Sequence, residues 1–472
     1  MSPVRFSFPC RLAAGMLGLL GVGTVPVSAQ STWNSATGGS WSTAANWTPA
    51  TVPNGIGADV VFNGAATGAN PAQSANHSVT LDGVRTAGSI LFNNDLGAFN
   101  NSITTGTGGP LTFDATGTGP ATITTAGTGT GNNTISVAMS LADSLTATVN
   151  NTSAASAAGS LSLTAAISGA GGFTKQGDGM ATFGTGAKTY TGATVIAAGR
   201  MRMSQTASPT ATSGLTVSAG GQLTLISAGS YTFGSAPVTL GGAGAVSGPS
   251  AAFPGAIRND TGLVVTITNA VVLFVDTLLH IQGAAGALNL PGTVSGGGQL
   301  AVTAPGSSAD LGTLSLGGAN NYSGGTLVRG GMVTLSAAAA TFGTGDVTVL
   351  SAGAMITGGS ARLEIPTGTL DSIMDVATLS LAGGNVAGVA DDGYVILGPG
   401  VNETVGGLIL GGVFQAVGTY GSTASGALFQ NDEYFSGPGR LTVVPEPAGL
   451  TLLALACGPL FRRRRGVSTR PA

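Results

Sequence analysis

The sequence predicts an all-β protein, a repetitive parallel β-helix or β-solenoid. Three observations carry that prediction: short runs with a two-residue apolar period, glycine clusters between them, and self-similarity at a long, nearly fixed offset. The runs include Val60–Phe62, Ser89–Phe92, Leu111–Phe113, Leu161–Thr164, Leu223–Leu225 and Val333–Leu335. Most alternate an apolar residue with Ser, Thr or Gly, the pattern of a strand with one buried face. Threonine suits such strands because its branched Cβ packs on the pleat. No stretch between the two ends holds a 3.6-residue apolar period through three turns without glycine, so helices are minor at most.

Glycine accounts for 80 of 472 residues, and glycine occupies the positive-φ corners that a Cβ would forbid. The self-similarity pairs Ile167–Phe173 with Val294–Leu300, offset by 127. It also pairs Tyr190–Gly199 with Tyr322–Gly331 at 132, and Ser218–Gly220 with Ser351–Gly353 at 133. A small insertion near Ala304 to Ser308 is consistent with the drift. Units of this kind cannot bury an apolar face alone and must stack. Inward Val, Leu, Ile and Phe then meet between coils while Thr and Ser face outward. About 4.8 Å per strand and roughly 20–45 residues per repeat predict roughly ten to twenty coils.

The two ends differ chemically from everything between them. Arg5 and Arg11 precede an apolar run from Leu12 to Val25 and the small-residue stretch Val27–Ala29. That is the build of a secretory signal peptide, with cleavage expected between Ala29 and Gln30. At the other end Pro445, Glu446 and Pro447 precede 14 apolar or small residues, Ala448 to Phe461, and then Arg462, Arg463, Arg464 and Arg465. As a helix the 14 residues would cover roughly 21 Å, against about 30 Å of hydrocarbon. The arginines would stay cytoplasmic, leaving the preceding chain outside, which is the topology that the signal peptide also implies. The predicted segments are a signal peptide (1–29), a Trp-containing β region (30–105), two solenoid units (106–230 and 231–360), a C-terminal β region (361–444), a sorting segment (445–466) and a cytoplasmic tail (467–472).

Between Gln30 and Val444 there are 18 acidic and 9 basic residues. A mildly acidic chain without basic blocks argues against nucleic-acid binding. Both cysteines, Cys10 and Cys457, fall in the predicted removable ends, so the region between can form no disulfide and no thiolate site. Charged residues are only 7%, yet the hydrophobic fraction is an ordinary 43%, which favours a folded, turn-rich chain over disorder.

Two resemblances rest on these residues. Pro445-Glu446-Pro447, the short hydrophobic stretch and the arginine cluster resemble the PEP-CTERM sorting domain. That likeness implies recognition by an exosortase-like membrane enzyme and a temporary membrane hold. Gly171-Gly-Phe-Thr-Lys-Gln-Gly-Asp-Gly179, Lys188–Val195 and Asn320–Val328 resemble the autotransporter-associated β-strand repeat. The second unit departs at its turn, where Gly297-Gly-Gln-Leu-Ala-Val302 lacks the Thr-Lys pair. This likeness implies a β-helical, surface-displayed protein, adhesive or structural. No translocator barrel is expected after the repeats, because the sequence runs into Arg462–Arg465.

Trp33, Trp41 and Trp47, followed by Val52-Pro53, resemble the Trp-rich opening of the same group. Aromatic closure of the solenoid's open end is the preferred reading; glycan stacking on the rings is the alternative. Gly418–Gly421, Tyr434–Gly439 and Leu441–Val443 resemble final strands before a sorting tail.

Reactive chemistry is sparse. His77 and His280 have no second His or Cys nearby and read as satisfied surface or loop residues. Gly186-Ala-Lys-Thr189 only brushes a phosphate-binding loop, since the Gly-Lys step is broken. Asp391-Asp392 and Asp432-Glu433 sit beside Gly or Asn, where an acid caps a turn. The expectation is therefore an exported, non-catalytic scaffold without cofactor or metal. Its partners would be signal peptidase, an exosortase-like enzyme, the membrane and extracellular polysaccharide. A polysaccharide-binding or polysaccharide-degrading β-helix enzyme is the second reading, with the acid pairs as its candidates.

Overall fold

Alternation along the strands sets the architecture. In Ala121–Ala126 every second residue is buried, and Leu145–Val149 and Ala361–Ile365 repeat the pattern. Such strands have one apolar face to hide and leave their edges free to pair. In the computed structural model they do so by stacking in parallel. Residues 30–66, 70–150, 160–245, 254–260, 262–283, 285–303, 312–352, 360–369 and 371–444 are described. The signal-peptide residues up to Ala29, the sorting motif Pro445–Pro447 and Arg462–Arg465 lie outside them. Helix among the described residues is confined to two single turns, Ala44–Asn46 and Gln205–Ala207. No helix there is long and apolar enough to cross a membrane.

Successive circuits of the chain lay their strands on three sides. The first wall begins Ser31–Trp33, Asp59–Asn63, Ser89–Asn93, Ala121–Ala126, Leu145–Val149, Phe173–Gln176. The third begins Arg85–Ala87, Leu111–Phe113, Met139–Leu141, Ile167–Gly169. Further along, a separate eight-stranded sheet follows the second wall in each circuit, running from Gly229–Tyr231 through Val264–Ile267, Ala287–Leu290 and Thr313–Leu316 to Phe435–Ser436.

The second wall is unbroken. It runs from Gly39–Ser40 through His77–Leu81, Asn101–Thr105, Asn133–Ile135, Leu161–Leu163 and Met180–Phe183. The C-terminal halves of Thr194–Met203 and Leu215–Leu225 follow, then Ile257–Asn259 and the end of Val271–Ile281. Leu300–Thr303, Thr326–Val328, Val347–Val349, Thr378–Leu381 and Gly407–Leu410 complete it. These fifteen rungs fall within the coil number expected from the sequence. At about 4.8 Å per step they give a stack roughly 70 Å long.

One apolar core runs inside the walls from Trp33 to Val443. Residues in register stack there; Phe62 lies against Phe92 with ring centroids 5.3 Å apart and planes 17° from parallel. The corner glycines recur with the repeat. Gly199 and Gly331 both have positive φ, 66° and 76°. A Cβ on Gly331 would stand 2.5 Å from the Gly312 carbonyl oxygen of the coil below, and one on Gly199 would meet the Gly177 carbonyl in the same way.

Pairing among the described residues is parallel except at the two ends. Ser31–Trp33 is covered by Trp47–Thr48 running antiparallel. At the far end Gly407–Leu410 carries the antiparallel Val413–Phe414, and Gly418–Gly421 runs antiparallel to Arg440–Val443. A reversed strand occupies an edge that would otherwise present free N–H and C=O groups.

Candidate functional site

The tryptophans close the N-terminal end from within. Trp33 and Trp47 face each other across the antiparallel pair, 5.0 Å apart and edge-on, and Trp41 packs 5.0 Å from Trp47. All three surround Phe62, and none is more than 2% exposed. Each indole N–H donates to a backbone carbonyl: Trp33 to Thr37, Trp41 to Pro53 and Trp47 to Trp41. This corrects the glycan-stacking alternative, since no ring face is open to a sugar.

The histidines are inside too, not on the surface or in loops. His77 Nδ1 lies 2.9 Å from Asn101 Oδ1, and Asn101 Nδ2 donates to Asn133 Oδ1 at 3.0 Å and to Asn94 Oδ1. His77, Asn101 and Asn133 occupy one register position on three successive rungs, forming a polar ladder along the core. Burial lowers the pKa of His77, with the Asn101 bond opposing.

The chain's two lysines are also internal. Lys175 shares its register position with Ala147 below and Ile196 above. Its ammonium donates to the carbonyls of Gln176 and Gly177 at 2.7 Å and of Ala198 at 3.1 Å. Burial pushes it down to about 7, while Asp178 and the three acceptors favour the charged form. Lys188 donates to the carbonyls of Ala165, Gly184 and Gly186 and stands over the Phe183 ring. The lysine of Gly186–Thr189 thus binds the protein's own carbonyls.

The acid pairs meet at the C-terminal end. A Cβ on Gly383 would touch the Tyr434 ring and Glu433, and one on Gly384 would overlap the Asp391 carboxylate. Asp391 and Glu433 therefore flank a two-glycine step, a convergence that no sequence spacing could reveal. Asp392 is buried and accepts from the backbone N–H groups of Ala361 and Gly393 and from the Ser351 hydroxyl. Asp432 accepts from the N–H and hydroxyl of Thr423 on the wall of a shallow groove of about 430 Å³, beside Val389, Ser422 and Ser436. Asp392, beside Gly393, and Asp432, beside Asn431, each tie down backbone N–H groups, the capping role expected of acids beside Gly or Asn. Among the described residues, no three His, Cys, Asp or Glu side chains are grouped to hold a metal ion.

The sequence reading missed a basic cluster on the second wall. Arg202, Thr224, Arg258 and His280 occupy one register position on four rungs. Arg258 Nε donates to Asp260 at 2.9 Å and its terminal nitrogen to Gln282 at 3.0 Å; Arg200 lies 3.8 Å from Asp260 and donates to Thr224. Burial first, and then Arg258, pushes His280 down to about 4; the same two causes lower Arg200 to about 10. The separated positions 200, 202 and 258 gave no basic block to notice; only parallel register assembles them.

The repeat itself has a polar signature. Tyr190 and Tyr322, both buried, lie 2.7 and 2.6 Å from Thr194 Oγ1 and Thr326 Oγ1. Thr326 donates to the Phe342 carbonyl, so its single hydroxyl hydrogen is used and Tyr322 must donate to it. In the first unit Thr212 donates to Gly192, which orders the chain Tyr190 to Thr194 to Thr212. The family model for the passenger-associated-transport-repeat matches residues 173–203 and 309–337, the segments that contain these Tyr–Thr pairs. No curated protein and no solved structure matches the chain. The chain is therefore a parallel β-solenoid that carries two passenger-associated transport repeats.

Proposed function

We propose that this chain is an exported, non-catalytic surface or extracellular-matrix scaffold with a structural or adhesive role. It enters the export route through residues 1–29 and is sorted through Pro445-Glu446-Pro447 and the apolar run to Arg462–Arg465. The observation that carries this reading is the solenoid with its transport repeats, a build typical of autotransporter passenger and surface proteins. The residues that mark the repeats point inward to hydroxyls and carbonyls, as expected of a repeat kept for its architecture. Signal peptidase and an exosortase-like enzyme are the processing partners, the membrane is a transient one, and extracellular polysaccharide is the proposed ligand class.

Fractionation in the native host tests the route by comparing the full-length chain with one ending at Val444. A change of location or mass supports it; identical location and mass contradict it. The second reading, a polysaccharide-degrading enzyme, draws support from the gathering of Asp391 and Glu433 beside the C-terminal groove. Turnover of an acidic glycan that disappears in an Asp391→Ala/Asp392→Ala variant, with the fold retained, would favour it.

A further inference from the structure

Five of the fifteen large apolar side chains exposed among the described residues fall within residues 413–429. They are Val413 (64%), Phe414 (72%), Val417 (56%), Leu428 (73%) and Phe429 (43%). They flank the strand Gly418–Gly421 on both sides in the chain, and exposed apolar residues gathered on one short segment, unlike scattered single ones, point to a contact surface. Val413–Phe414 is the reversed edge strand on the second wall. Phe429 stacks on Tyr420 at 4.9 Å, and the Leu428 N–H is held by the Thr419 hydroxyl, so this part of the patch is built rather than loose.

The chain leaves the solenoid at this patch. Val443 pairs directly with Gly418, and a Cβ on Gly418 would touch the Phe429 ring and approach Leu428. Val444 donates to the Val405 carbonyl, and the sequence then continues into Pro445, Glu446 and Pro447. Three extended residues reach about 9 Å, at roughly 3.1 Å each. The headgroup layer is itself about 5–8 Å thick on each side. With Ala448 at the hydrocarbon boundary, the cap has no room to stand clear of the bilayer. The run Ala448–Phe461 is also short, roughly 21 Å against about 30 Å. A short segment thins the membrane or draws flanking apolar groups towards it.

We infer that the C-terminal cap docks on the lipid surface through Val413, Phe414, Val417, Leu428 and Phe429 while the tail is held in the membrane. This rests on the proposed membrane hold and adds a second apolar contact to it. The solenoid is thereby fixed against the bilayer rather than tethered loosely to it.

The test uses the mature chain from Gln30 to Ala472 with Cys457→Ser, carrying either Leu428→Cys or the distant, exposed Thr118→Cys, labelled with a polarity-sensitive fluorophore. It is reconstituted into phosphatidylethanolamine/phosphatidylglycerol vesicles and floated. Docking predicts that the label at 428 brightens by about threefold or more and is quenched by lipids spin-labelled near the headgroup, whereas the label at 118 does neither. A chain that floats while its label at 428 remains water-exposed overturns docking and leaves the membrane hold standing. A chain that does not float overturns both. Brightening without vesicles that rises with protein concentration overturns docking by assigning the patch to a second copy of the chain.

Discussion

The Tyr322–Thr326 pair allows the repeat signature to be tested by a double-mutant cycle. Tyr322→Phe deletes one O–H but leaves Thr326 donating to Phe342, so the loss is one neutral hydrogen bond, about 1 kcal/mol. Thr326→Val deletes the acceptor, strands a fully buried phenol O–H and removes the donor to Phe342. Its cost is about 2–4 kcal/mol, the upper part being desolvation of the orphaned hydroxyl. In the double variant the orphan is gone, so the second substitution costs little or is favourable. The coupling is then about 1–2 kcal/mol. Solenoids unfold locally, so the readout is native-state hydrogen exchange of the 326–335 peptide rather than a global melt. Costs that add to within about 0.5 kcal/mol would refute the proposed hydrogen-bond order.

Other outcomes follow from individual contacts. Gly331→Ala places a Cβ at positive φ against the Gly312 carbonyl and should cost about 1–3 kcal/mol, while the open Gly297→Ala stays within about 0.5 kcal/mol in the same exchange assay. Lys175 and Lys188 are 0% and 1% exposed with their ammonium groups held by carbonyls, so an amine-reactive ester should label both at least about a hundredfold more slowly in the folded chain than in urea. Labelling at comparable rates would place them outside the core. His280 is depressed from 6.5 to about 4 on folding; above 6.5 it is neutral in both states, and below that the unfolded chain takes a proton that the folded one refuses. Stability around the 257–281 strands should fall by up to about 3 kcal/mol between pH 6.5 and 4, and His280→Gln should flatten that slope.

The fold was legible because strand alternation and glycine spacing are local. Leu111–Phe113 and Leu161–Leu163 bury the residues that their pattern marks as inward. Closure of the N-terminal end by Trp33, Trp41 and Trp47 was readable for the same reason, because they crowd one short segment. The polar interior was not. A lysine is ordinarily exposed, and nothing in Phe173–Gln176 announces that the Lys175 ammonium will find three carbonyls at a coil corner. Val302 occupies the aligned position of the second repeat and is also buried, so the departure noted at Gly297–Val302 exchanges one inward residue for another. The meeting of Asp391 with Glu433, and of Arg202 with Arg258 and His280, depends on register across connections of unequal length. That information is long-range, and residue types alone do not carry it.

Display outside the cell is most directly tested by a single exposed cysteine in the solenoid. Thr118→Cys in a Cys10→Ser/Cys457→Ser background, expressed in the native host, is treated with a membrane-impermeant maleimide before and after lysis. Labelling of intact cells or of the culture medium, equal to that after lysis, is the predicted result. Labelling that requires lysis would place the scaffold inside and contradict the account.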